Sequence, residues 1–145
     1  MNQREIKFRQ ENKNKWHYWG FIKGIFVSPL LKSGGKSHQF TGLKDKNGVE
    51  IYEGDILSLI EPEIEGKQTA FGMVEVCFGD YDDSEIEYGS PGIGWFVRGY
   101  HGYKREDGRK DKYFIGQNSE PEWSLKQCLG WKVIGNIYSN PELLK

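Results

Sequence analysis

The sequence predicts a mainly β protein, built from short strands joined by tight turns. Three observations point there. Residues 41–57 read turn, strand, turn, strand around a central Asn47-Gly48, a dipeptide suited to the positive φ angles of a tight turn. The 19 glycines are dispersed along the 145 residues, as turns between short strands require, instead of clustering in a linker. Hydrophobic content is only 37%, but 5 Trp, 8 Tyr and 8 Phe supply the large rings that fill a small β core with few residues.

Taken in order, Ile6 and Phe8 alternate with Glu5, Lys7 and Arg9 and predict an opening strand, followed by a polar turn over residues 11–15. Residues 16–27 are aromatic and β-branched and predict one or two strands, bent at Gly20 and Gly24. Residues 28–38 read as a loop. Val49 and Ile51 alternate with Glu50 and Tyr52, predicting a half-buried strand with the first pair inward. Glu53-Gly54-Asp55 is a chain reversal, and a strand starts at Ile56. Residues 61–66 are an acidic loop. Val74, Val76 and Phe78 share one strand face, residues 80–94 read as an acidic, turn-rich loop, and residues 95–100 as another strand. A charged hairpin loop fills 101–112, with a returning strand at 113–115. Ser119 as N-cap, Glu122 three residues on, and Leu125, Cys128 and Leu129 at helical spacing predict one short helix near residues 120–129, stopped by Gly130. A strand over 131–138 and a last helical turn after Asn140 complete the chain.

At this length one domain is expected, residues 1–39 supplying N-terminal strands and a loop and 40–145 a barrel core with a variable insert. Net charge is −1, pI about 6.3 and mean hydropathy −0.71, so bulk charge gives no push toward nucleic acid or an anionic membrane. No run reaches membrane-spanning length and the first residues hold no signal-peptide core, so a cytoplasmic protein of the bacterial host is expected. Cys77 and Cys128 form no CxxC motif and are expected as free thiols.

Motifs for catalysis fail one by one. Gly34-Gly35-Lys36-Ser37 lacks the first glycine of a phosphate-binding loop, where Leu30 stands. The acidic run from Asp80 to Glu87 has Glu85 and Pro91 where a calcium loop needs glycine and glutamate. It reads as solvated, with cation binding left open. His17, His38 and His101 share no metal-ligand spacing, and no serine sits in a nucleophile elbow. No catalytic residue, metal or cofactor is expected. The one local binding candidate combines Arg98, Lys104, Arg105, Arg109, Lys110 and Lys112 with Tyr100, Tyr103 and Tyr113. Cations for phosphates and rings for bases suit single-stranded nucleic acid, but Glu106, Asp107 and Asp111 dilute the patch. A solubilising hairpin tip is the favoured reading.

Four blocks carry a resemblance. They are Arg4-Glu-Ile-Lys-Phe-Arg9, Phe40-Thr-Gly-Leu-Lys-Asp-Lys-Asn-Gly48, Ile51-Tyr-Glu-Gly-Asp-Ile56 and Val133-Ile-Gly-Asn-Ile-Tyr-Ser-Asn-Pro-Glu-Leu-Leu144. In this order, across nearly the whole chain, they resemble the YopX family of phages and prophages of Gram-positive bacteria. The resemblance implies an SH3-like barrel and no established activity, so it transfers no site residue. The expectation is an accessory protein that is not an enzyme and acts by binding or self-assembly. Its partners would be other copies of itself, or a phage or host protein. Nucleic-acid binding through residues 98–113 is the alternative.

Overall fold

The computed structural model describes residues 5–30, 36–60, 71–82, 91–101 and 122–144. The chain is mainly β, and the described residues form ten strands in two antiparallel sheets. The first sheet has the order β3-β2-β1-β4-β5, from β1 (Ile6–Asn12), β2 (Lys15–Ile22), β3 (Ile25–Val27), β4 (Ser37–Lys44) and β5 (Glu50–Tyr52). The second has the order β10-β6-β7-β8-β9, from β6 (Asp55–Ile60), β7 (Phe71–Tyr81), β8 (Gly92–His101), β9 (Glu122–Ser124) and β10 (Lys132–Asn136). Among the described residues no closed barrel forms.

The N-terminal pattern yields β1 and a turn at Lys13-Asn14, both at positive φ. Residues 16–27 divide into two strands because Gly24 turns the chain at φ +80°. Gly20 does not bend the chain. It lies within β2, where an added Cβ would stand 2.2 Å from the carbonyl oxygen of Ile6, so only glycine lets β1 approach.

At the central hairpin only Gly48 takes positive φ. Asp45 organises the turn: its Oδ1 accepts from the amides of Asn47 and Val49, and its Oδ2 from Val133 of β10. The predicted facing of β5 needs correction. Val49 is 47% exposed while Ile51 and Tyr52 are both buried, because neighbours cover this strand on two sides. The Glu53-Gly54-Asp55 reversal is present, with Gly54 at φ +83° and the Tyr52 amide donating to Asp55 Oδ2.

Two further expectations change. The turn-rich reading of residues 80–94 gives way at both ends, since β7 runs on through Tyr81 and β8 starts at Gly92. Gly79 and Gly94 lie opposite each other in that ladder. The predicted helix near 120–129 is a strand over Glu122–Ser124 followed by one 3-10 turn, Leu125–Cys128. Leu125 and Cys128 are buried, since a spacing of three also repeats once per 3-10 turn. They join Ile51, Leu57, Val74, Val76, Val97 and Trp131 in the core on the second sheet.

Candidate functional site

The densest chemistry in the fold lies where the first sheet meets the start of β6. Alternation along β1 turns Lys7 and Arg9 inward, and both are 7% exposed despite their charge. A buried cation requires a partner. Arg9 Nη2 pairs with Asp55 Oδ1, and its guanidinium lies 4.3 Å from the ring centres of both Trp16 and Tyr52. Lys7 Nζ pairs with Glu50 and, at 3.0 Å, with Glu5, and sits 4.7 Å over Phe40. The Tyr52 hydroxyl donates to Glu50 Oε2 at 2.8 Å. His38 stacks on Tyr138 at 4.3 Å and meets Trp16 edge-on at 5.9 Å.

The ionisation states follow from this burial. Desolvation raises the Asp55 carboxyl to about 6, against the pull of Arg9 and the Tyr52 amide. Desolvation lowers His38 to about 4, helped by Arg9 and Lys36. Desolvation of Lys7 is outweighed by its hydrogen bonds to Glu50 and Glu5, so its pKa rises, while the Lys7 hydrogen bond lowers Glu5. Burial and the bond to Glu50 raise the Tyr52 hydroxyl. General acid–base chemistry needs a group that reaches a substrate. Asp55 is 1% exposed and committed to Arg9 and Tyr52. The cluster is a polar clamp between the sheets, with Arg9 Nε and His38 Nδ1 left without hydrogen-bond partners among the described residues.

Little in the sequence signals this clamp. Arg9 and Asp55 stand 46 residues apart, and Asp55 reads locally as a turn residue. Of the candidate nucleic-acid set, two residues fall among the described ones. Arg98 and Tyr100 lie on β8, and Arg98 is turned to Glu122 at 3.4 Å. Tyr103, Lys104, Arg105, Arg109, Lys110, Lys112 and Tyr113 lie outside the described residues, as do the acidic residues 83–87 and the predicted N-cap Ser119. Among the described residues no group of three or more His, Cys, Asp or Glu is placed to hold a metal ion. Cys77 and Cys128 are free thiols, Cys128 buried and Cys77 half-buried, and burial pushes Cys77 up to about 12. Among the described residues no helix is long and apolar enough to cross a membrane.

The second concentration of interest is a surface. Val74 and Val76 of β7 and Val97 of β8 face the core. The same strand faces continue past it. Trp95, opposite Phe78, packs on the core's edge, and Phe78 meets its ring at 4.9 Å. Phe78 is 58% exposed and Ile93, further out, 80%. The apolar stripe of the β7–β8 ribbon thus overruns the core it lines. On the opposite face Tyr81 stacks on Phe96 at 5.5 Å, and an added Cβ at Gly92 would stand 2.8 Å from the Tyr81 ring.

Among known families, the one described as YopX protein matches residues 2–145. No curated protein matches the chain.

Proposed function

The chain belongs to the YopX family, and from that premise we propose that it is a phage or prophage accessory protein acting by binding, without catalysis, in the host cytoplasm. We propose further that it works as a homo-oligomer joined through the outer part of the β7–β8 ribbon. The observation that carries this reading is the exposed stripe of Phe78 and Ile93. Large apolar side chains in a continuous row beyond the core mark a contact surface. A second copy presents the same row, so a two-fold contact pairs stripe with stripe, the commonest closed arrangement. Within the interior clamp Asp55, Glu50, Lys7 and the Tyr52 hydroxyl are occupied by ion pairs and hydrogen bonds, which speaks against acid–base catalysis there.

Light scattering after size exclusion tests this on the full chain. The wild type should elute as a defined oligomer, and Phe78→Ser with Ile93→Ser should shift it to the 16.8 kDa of one chain. Both side chains are exposed, so the double variant keeps its core. A wild type that is already monomeric, or an oligomer untouched by the double variant, refutes the contact.

A further inference from the structure

The near-neutral total charge conceals a division. Residues 1–50 carry ten Lys and Arg against four Asp and Glu, net +6; residues 51–145 carry ten against seventeen, net −7. The first sheet is therefore built largely from the basic part of the chain. Its inner face holds Lys7, Arg9, His38 and Phe40, all buried. Its outer face is different in kind.

Alternation along β2 sends Lys15, His17, Trp19 and Phe21 outward. Register places Phe8 opposite Trp19, and both Ile6 and Phe26 opposite Phe21. Phe8 and Trp19 stack at 4.3 Å with planes 15° apart, and Phe21 meets Phe26 at 5.3 Å. Ile6, Phe21 and Phe26 are 49%, 55% and 57% exposed. Exposed lysines flank the rings: Lys13 and Lys15 at one end of β2, Lys23 just past the other. At about 3.3 Å per residue, Lys15 and Lys23 stand roughly 26 Å apart. Few acidic groups approach this face. Glu50 is bound to Lys7 on the inner side, Glu11 alternates with Gln10 to the inner side, and Glu5, paired with Lys7, also accepts from the backbone amide of Lys23 at the edge. Among the described residues, no strand position facing outward carries a carboxylate.

We infer that the outer face of the first sheet binds single-stranded nucleic acid, with bases stacked on the Phe8–Trp19 and Phe21–Phe26 rings and phosphates at Lys13, Lys15 and Lys23. The exposed Phe21 and Phe26 and the half-buried Phe8–Trp19 pair offer ring surface to unpaired bases of any sequence, and lysines spaced along the strand suit a phosphate backbone. A carboxylate among them would repel that backbone. The predominance of rings over aliphatic side chains favours base stacking over an apolar protein contact. This surface is separate from the β7–β8 stripe, and the inference does not rest on self-assembly.

Fluorescence anisotropy tests it, using the full chain with labelled oligo-dT and oligo-rU of about twelve nucleotides, within the range such surfaces occupy. Three phosphate contacts predict that affinity falls about 20-fold between 50 and 200 mM salt. Phe21→Ala with Phe26→Ala should weaken binding about 30-fold, the loss of two modest stacking contacts. Charge reversal of Lys13, Lys15 and Lys23 should abolish it. Binding of both oligomers points to a strand of either sugar, and binding of one names the source. No binding at 50 mM salt overturns the inference, as does unchanged affinity in the Phe21 and Phe26 variant. If that variant instead lowers the mass seen by light scattering, the face is a protein contact and the inference fails. Phe78→Ser with Ile93→Ser should leave nucleic-acid affinity unchanged, so this inference and the proposed oligomer fail separately.

Discussion

Replacing His38 with phenylalanine should make the protein gain stability relative to the wild type on acidification. His38 is 5% exposed, and burial beside Arg9 and Lys36 lowers its pKa from 6.5 to about 4. Between those values the unfolded chain takes up a proton that the folded chain refuses. Its contribution is fully present above pH 6.5 and is lost as pH falls toward 4. From pH 7 to 4.5 that loss integrates to about 2.4 kcal/mol. Asp55 acts with the opposite sign. Burial raises it from 3.8 to about 6, so in that window the folded chain holds more protons than the unfolded one. Its contribution is fully present below 3.8 and lost as pH rises through 6, which gives a gain of about 2 kcal/mol from pH 7 to 4.5. The two nearly cancel in the wild type.

Phenylalanine keeps an aromatic ring to stack on Tyr138, where His38 lies at 4.3 Å, and removes both imidazole nitrogens and with them the titration. The packing cost of the change is the same at both pH values. Urea unfolding followed by tryptophan fluorescence, run on both proteins at pH 7 and 4.5, therefore isolates the imidazole. The variant should gain about 2 kcal/mol on the wild type between the two conditions, a midpoint shift of roughly 1 M urea. A difference below about 0.5 kcal/mol would refute the argument, because His38 would then carry its proton as readily folded as unfolded.

Two further substitutions probe the frame. Asp45→Ala removes the acceptor of three backbone amides, those of Asn47, Val49 and Val133. It should cost about 3 kcal/mol in urea unfolding with an unchanged slope. Gly20→Ala forces a Cβ to within 2.2 Å of the Ile6 carbonyl at φ +113° and should cost at least about 2 kcal/mol. Gly24→Ala, with nothing within 4 Å and φ +80°, should cost only about 1 kcal/mol, so equal losses at the two glycines would remove the close-approach argument.

What was legible in the sequence was local. Period-two alternation marks β1, Gly24 marks the β2–β3 turn, and Glu53-Gly54-Asp55 marks the reversal before β6, because each is decided within a few residues. Glycine misleads where it pairs in a ladder. Gly79 and Gly94 look like turn residues, but they face each other across β7 and β8 and extend the ribbon beyond the valine core. The helix expected near 120–129 rested on a capping pair whose second member, Glu122, opens a strand against β8 instead. Tyr52 shows the limit of alternation. The rule puts it outward beside Glu50, but the first sheet supplies Arg9 and Phe40 to cover it. The clamp was invisible for the same reason, since Arg9 and Asp55 meet only once both sheets exist.

The charge division separates the two surfaces physically. The ring-bearing face stands on the basic part of the chain, and the apolar stripe on the acidic part, beside Asp80. A contact made by Lys13, Lys15 and Lys23 depends on displaced counterions and weakens steeply with salt. A contact made by Phe78 and Ile93 depends on apolar burial, which strongly hydrated salts such as sulfate strengthen. The two surfaces must therefore respond to sulfate in opposite directions if each works as argued. A single surface serving both roles would instead tie oligomer mass and nucleic-acid affinity to the same salt dependence.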